Sequence, residues 1–136
     1  MAQLGQVHVG AEPFGVAVNF NTNKVYVACF ASGEVYVVDG ASLAVLDHFP
    51  VGSEPTYVAV NPDTNRIYVA LHGLNGVAVI NGATDMVTKI IGAEAGTFGI
   101  AVNRYLNRIY QGKGEILLPL FAPTAIVLFR LLGFEV

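Results

Sequence analysis

Tryptophan is missing from this 136-residue chain, cysteine occurs once, and charged residues make up only 12% of it. The single thiol, Cys29, excludes an internal disulfide and any zinc site built on several cysteines. It lies in an apolar, strand-like run, where a small buried hydrophobe is the ordinary role of a lone cysteine. The seven Lys and Arg are scattered singly and the net charge is −3, so no basic stripe is present to grip nucleic acid. Met1-Ala2-Gln3-Leu4-Gly5-Gln6 has neither a basic segment nor a long apolar one, and does not read as a secretory signal. No glycine-rich phosphate loop precedes a helix, and His8, His48 and His72 are far from metal-ligand spacing. Ser32 and Ser42 have no base-and-acid set, so the sequence points to no cofactor, metal or catalytic group.

What the chain has in abundance is short apolar runs rich in Val, Ile and Tyr, separated by Gly, Asn, Asp and Pro. Hydrophobic residues reach 54% and glycines number 15. That pattern predicts many short strands joined by tight turns. The runs also recur. Val9-Gly10-Ala11-Glu12-Pro13 through Val16-Ala17-Val18-Asn19 returns 42 residues later as Val51-Gly52-Ser53-Glu54-Pro55 through Val58-Ala59-Val60-Asn61. Thr22-Asn23-Lys24-Val25-Tyr26-Val27-Ala28 returns at the same spacing as Thr64-Asn65-Arg66-Ile67-Tyr68-Val69-Ala70. A third copy opens at Ile91-Gly92-Ala93-Glu94 and reaches Ile100-Ala101-Val102-Asn103 and Asn107-Arg108-Ile109-Tyr110.

Each unit parses into four strands, in the first copy 15–19, 24–29, 34–38 and about 44–51. Asp39-Gly40 and Asn81-Gly82 are two-residue hairpin signals, predicting a type I′ turn between strands three and four. Four antiparallel strands in a unit of about 42 residues is the pattern of a β-propeller blade. An immunoglobulin-like sandwich gives no reason for sequence to recur, and a helical solenoid needs helical spacing of apolar residues. The expected fold is therefore all-β: a propeller fragment of about two and a half blades over residues 1–110. Blade 1 occupies about 15–51, blade 2 about 56–91, and the start of blade 3 98–110. Gln6-Val7-His8-Val9-Gly10 matches His48-Phe49-Pro50-Val51-Gly52 in place, and so reads as the last strand of a preceding blade.

Glu12-Pro13, Val16-Ala17-Val18-Asn19, Tyr26-Val27-Ala28 and Val38-Asp39-Gly40 together resemble the YVTN family of propeller repeats. Ala28 and Ala70 stand where that family's motif has Thr, Cys29 and Leu71 where it has Asn, and the third copy departs further with Tyr110-Gln111-Gly112. The resemblance covers roughly residues 7–110. It implies an extracytoplasmic or surface setting, within a wider group similar to NHL and lactonase-like propellers that includes both binding proteins and enzymes. Fold does not choose between those.

From Gln111 onward the repeat fades into a hydrophobic tail, 111–136, in which Leu, Phe and Pro displace Val, Asn and Tyr. Three origins fit it: unrelated coding such as a frameshift, a degenerate blade or cap with 116–120 as a strand, or a short membrane segment over 116–129. The last is shorter than a full span and carries Pro119 and Pro123.

The candidate site residues are the carboxylates Glu12, Glu54 and Glu94, which recur in the turn leading into strand one of each unit. A ring of acids at one propeller face would suit a cation or a basic ligand. Against this, Glu-Pro would shape that turn while its carboxylate bonds backbone amides, and recurrence in every unit favours the structural role. Lys24 with Tyr26, Arg66 with Tyr68 and Arg108 with Tyr110 are two residues apart on a shared strand face, which suggests a ring packed under an aliphatic stem or a cation near the next blade.

Three functions follow. The first is a non-enzymatic scaffold or binding module of a larger extracytoplasmic protein, with a protein or small ligand on one face. The second is part of a propeller enzyme, lactonase- or lyase-like, whose site lies in other blades. The third is a truncated product without activity. Nucleic acid is not an expected partner, a membrane is disfavoured, and open blade edges invite self-association.

Overall fold

A computed structural model describes residues 3–93, 96–113 and 129–133. All regular structure among them is strand: β1 (Pro13–Asn19), β2 (Lys24–Cys29), β3 (Glu34–Asp39), β4 (Val45–Pro50), β5 (Pro55–Asn61), β6 (Arg66–Leu71), β7 (Gly76–Asn81), β8 (Met86–Gly92), β9 (Thr97–Asn103), β10 (Arg108–Lys113) and β11 (Phe129–Gly133). They form two four-stranded antiparallel sheets, β1-β2-β3-β4 and β5-β6-β7-β8, and a three-stranded one, β9-β10-β11. The four-strand parse thus holds twice. In the third unit β10 runs past Tyr110 to Lys113, and the third strand is β11. The proposed strand at 116–120 lies outside the described residues.

Asparagines build the first turn of every unit. Asn19, Asn61 and Asn103 each close it with a side-chain oxygen that accepts from the N–H two residues ahead, at 3.1 Å in all three. Asn23, Asn65 and Asn107 end it at φ 55°, 51° and 48°, the left-handed region that Asn tolerates best after Gly. The turn between strands three and four differs from the two-residue type I′ hairpin that Asp39-Gly40 suggests. β3 ends at Asp39 and β4 begins at Val45. Asp39 Oδ1 accepts from the N–H of Ala41 and Ser42 and from the Ser42 hydroxyl, which opens a longer loop. The positive φ falls on Leu43, at 61°, rather than on Gly40. Glycine is needed at 40 for another reason: a Cβ there would stand 2.9 Å from the Asn23 carbonyl oxygen.

The core lies between sheets. One cluster joins Tyr26, Ala28, Val35 and Val37 of the first sheet to Val58, Ile67, Val69, Leu71, Ala78 and Ile80 of the second. A smaller one joins Tyr68, Val77 and Val79 to Ile109, with Ile100 and Val102 against it. Alternation along each strand sends one face to the sheet before and the other to the sheet after, so strands are apolar on both sides. Cys29 is fully buried, as its apolar run suggests, and burial pushes its thiol above the ordinary range.

Gln6-Val7-His8-Val9-Gly10, read as the last strand of an earlier blade, forms no strand. A fourth strand takes its hydrogen bonds from the third strand of its own blade, and the described residues offer none here. Gln111 replaces the Val69 of the previous unit, yet is 2% exposed. Its amide donates to Thr97 Oγ1 at 2.9 Å, so a polar tie stands where the repeat has an apolar contact.

Candidate functional site

Register places two sets of connections at one end of the sheets. Pro13 pairs with Cys29, Cys29 with Glu34, and Glu34 with Pro50, so the turn into β1 and the β2–β3 loop share a face. The same holds for β5 and the β6–β7 loop. On this face the first strand of every sheet carries a bulge: at Phe14 in β1, at Thr56-Tyr57 in β5, and at Phe98 in β9. A bulge re-aims side chains at a strand end, and here the redirected residues are aromatic.

Phe14, Tyr57 and Phe98, one from each sheet, form a closed triangle. Ring centroids are 5.5 Å apart for Phe14–Tyr57, 5.6 Å for Phe14–Phe98 and 5.5 Å for Tyr57–Phe98, all edge-on or nearly so. Edge-to-face geometry sets the positive rim of one ring against the negative face of the next. Phe30 of the β2–β3 loop adjoins Phe14 at 6.1 Å, and His72 of the β6–β7 loop meets Phe98 at 5.7 Å. His72 Nδ1 lies 3.2 Å from the Thr97 carbonyl oxygen, which holds that ring in place. Thr56 Oγ1 donates to the Phe98 carbonyl at 2.7 Å and ties the second sheet to the third behind the rings. Although the triangle is packed, Phe14 is 47% and Tyr57 42% exposed, so an aromatic surface faces solvent.

Glu12 and Glu54 sit in the turns leading to this patch, at φ 54° and 53°. Their backbone carbonyls, rather than their carboxylates, make the structural tie: Glu12 O accepts from Phe30 N–H at 2.8 Å and Glu54 O from His72 N–H at 3.0 Å. Both residues therefore stand in turns at the same end of the sheets as the rings. Glu94 lies outside the described residues. No group of three or more His, Cys, Asp or Glu among the described residues is placed to hold a metal.

In the first unit the basic–Tyr pair reaches the next sheet. Lys24 Nζ lies 2.8 Å from Asp85 Oδ2, and the Tyr26 hydroxyl lies 3.4 Å from Asp85 Oδ1. Burial, reinforced by Asp85, pushes the Tyr26 phenol far above its ordinary range. Arg66, the counterpart of Lys24, turns back to the Thr64 and Asn65 carbonyls. His48 stacks on Tyr36 at 4.8 Å and remains exposed on β4, and His8 is also exposed.

The recurrence of Glu12 and Glu54 in the sequence points to these turns but not to the rings beside them. Phe14, Thr56 and Phe98 occupy one repeat position, and Gly15, Tyr57 and Gly99 the next. Aromatics that alternate between neighbouring positions do not register as a periodic motif.

Structural comparison settles the architecture. The chain is similar to hydrazine synthase of Kuenenia stuttgartiensis, with a TM-score of 0.70 at 21% identity, covering 82% of this chain and 32% of that one. It also matches the dihydro-heme d1 dehydrogenase NirN, with a TM-score of 0.67 at 16% identity over 90% of this chain and 28% of that one. The β-propeller domain of Myceliophteria thermophila Cps50 (Swd1) gives 0.66 at 13% identity over 92% and 40%. The three sheets are blades of a β-propeller. This chain spans between about a quarter and two fifths of the length of those structures. No protein-family model and no curated protein sequence matches it. At such low identities the likeness concerns the fold.

Proposed function

We propose that this chain is a non-enzymatic binding module of a YVTN-type propeller, part of a larger extracytoplasmic or surface protein. Its ligand is a protein or small molecule that presents a cationic group to the Phe14–Tyr57–Phe98 face. The exposed aromatic triangle drawn from three blades carries this reading. Ring faces attract cations through their quadrupoles, and Glu12 and Glu54 add negative charge on the turns of the same face. Recurrence of Tyr26-Val27-Ala28 and Tyr68-Val69-Ala70 supports the YVTN relationship.

Titration with arginine amide, followed through the ring resonances of Phe and Tyr by NMR, tests the proposal. Shifts should concentrate on Phe14, Tyr57 and Phe98, vanish in Y57A, and weaken in the double variant E12Q/E54Q. N-acetylglutamine amide, similar in length but neutral, should produce none. Equal response to both probes would remove the cationic assignment. Turnover of a lactone or ester that a single substitution on this face abolishes would overturn the non-enzymatic reading.

A further inference from the structure

The opposite ends of the first strands build a second cluster across the three blades. There the turns after β1, β5 and β9 carry Phe20-Asn21, Pro62-Asp63 and Arg104-Tyr105 at matching repeat positions. Arg104 of blade 3 reaches back to blade 2, where Nε donates to Asp63 Oδ2 at 2.8 Å and Nη2 donates to Asp63 Oδ1. Its guanidinium lies over the Phe20 ring of blade 1, 5.2 Å from the centroid, and 5.8 Å from the centroid of Tyr105. Asn21 Nδ2 donates to the Pro62 carbonyl at 3.0 Å and links the first two turns. Asn103 Oδ1 accepts from the N–H groups of Tyr105 and Leu106 and sets the third. Every contact in the cluster is made between these turns or within one of them.

The ion pair is held in the open. The side chains of Arg104 and Asp63 are 36% and 45% exposed, and a pair so well solvated adds little stability. Its arrangement suits recognition instead. Two parallel N–H···O bonds fix a planar guanidinium against a planar carboxylate, and the Arg104 donors hold the Asp63 carboxyl below its ordinary range. Among the described residues the pair engages Nε and Nη2, so Nη1 keeps its N–H donors and each Asp63 oxygen keeps a lone pair. Donors and acceptors thus stand side by side with no net charge. An anionic ligand would meet the Asp63 carboxylate, and a cationic one the Arg104 guanidinium. Neutral hydroxyls on neighbouring carbons meet neither penalty, because each both gives and takes a hydrogen bond. Beside the pair, the exposed Tyr105 offers a ring face whose negative quadrupole attracts weakly positive C–H groups.

We propose that this cluster is a saccharide-binding subsite, with adjacent hydroxyls of a neutral hexose on the Asp63–Arg104 pair and the C–H face of the sugar on the Tyr105 ring. One hydroxyl accepts from Arg104 while its neighbour donates to Asp63. Asp63 and Phe20 already fix the arginine, so little side-chain freedom is lost when the ligand binds. The subsite lies at the other end of β1, β5 and β9 from the Phe14–Tyr57–Phe98 face, and does not depend on the reading given to that face.

Saturation-transfer NMR titrations of the whole chain with methyl glucoside, methyl galactoside and methyl mannoside read the binding directly. At least one of the three should receive saturation from the protein, most strongly at its ring C–H protons, and sodium acetate should not displace it. R104K keeps the charge and loses the planar fork, so affinity should fall about tenfold. Y105A should weaken binding by a similar factor, and Y57A, on the opposite face, should leave it unchanged. Circular dichroism of the variants should match that of the parent, since the altered side chains lie at the surface. Absence of transfer to all three hexosides would overturn the proposal, as would binding that both R104K and Y105A leave intact or that Y57A removes. An equal response to the neutral probe N-acetylglycine amide would assign the cluster to peptide backbone and overturn the saccharide reading.

Discussion

Blades 1 and 2 are near copies in sequence and unequal in environment. Blade 2 lies between two neighbours. Ile67 and Val58 pack into the cluster shared with blade 1, while Tyr68 and Val77 pack into the one shared with blade 3. Blade 1 has a neighbour on one side only among the described residues. Its Val16 is mostly exposed where Val58 is buried, and Val25 is less buried than its counterpart Ile67. Leu43 stands where blade 2 has Asp85, the partner of Lys24. The burial of a repeat position is thus conferred by the adjacent copy, as in any array whose stability is a sum of unit and interface contributions.

Matched substitutions can break this comparison, and the largest expected difference is in the core. Ile67→Ala removes a fully buried side chain and should cost about 2–5 kcal/mol of unfolding free energy. Val25→Ala at the equivalent place should cost well under half as much in the same urea titration. Similar losses would mean that blade 1 is covered on both sides.

Glycine gives the next contrast. Gly15→Ala drives a methyl group into the Thr56 carbonyl, and overpacking of this kind costs about 1–3 kcal/mol. Gly99→Ala has open space, and should stabilise the fold by about 0.4–1 kcal/mol through the unfolded chain. Thermal unfolding at low concentration should show the two moving in opposite directions.

The asparagine ladder gives a smaller one. Asn61→Ala loses both the turn contact and the bond to Asn107, and should destabilise by about 1–3 kcal/mol. Asn103→Ala loses the turn contacts to Tyr105 and Leu106, and should fall at the bottom of that range. Equal values would show that the bond between blades adds nothing.

The smallest effect is acid sensitivity. The Ser42 and Ala41 donors hold the Asp39 carboxyl below its usual 3.8, while blade 2 has the uncharged Asn81 in its place. A depressed folded pKa gives stability that is present above the unfolded value and is lost as pH falls through the folded one. D39N should therefore flatten the acid limb of a stability–pH curve below about pH 4. An unchanged limb would assign that slope to other carboxylates.

Much of the fold was legible because repetition averages out local ambiguity. The spacing between Asn19 and Asn61 and between Tyr26 and Tyr68 fixes a blade-sized unit, and β2 falls on the residues that its Val-Tyr-Val run indicates. Asp39-Gly40 misled because the dipeptide carries two possible meanings. Asp39 supplies a side-chain acceptor that opens a longer loop, and Gly40 is required by the approach of Asn23 rather than by its own φ. The site was half legible. The recurrence of Glu12 and Glu54 marks the turns at that end of the sheets, but the rings beside them come from non-matching positions and meet only when three sheets are placed side by side.

The sequence by itself determined the strands, their turns and their period, because these depend on contacts a few residues apart and on side chains that cap their own backbone. Tertiary structure decided which of two equivalent valines is buried, where Lys24 finds a carboxylate, and that Phe14, Tyr57 and Phe98 share one surface. Those outcomes depend on what packs against each blade, and a repeat carries the same instructions whether or not its neighbour is there.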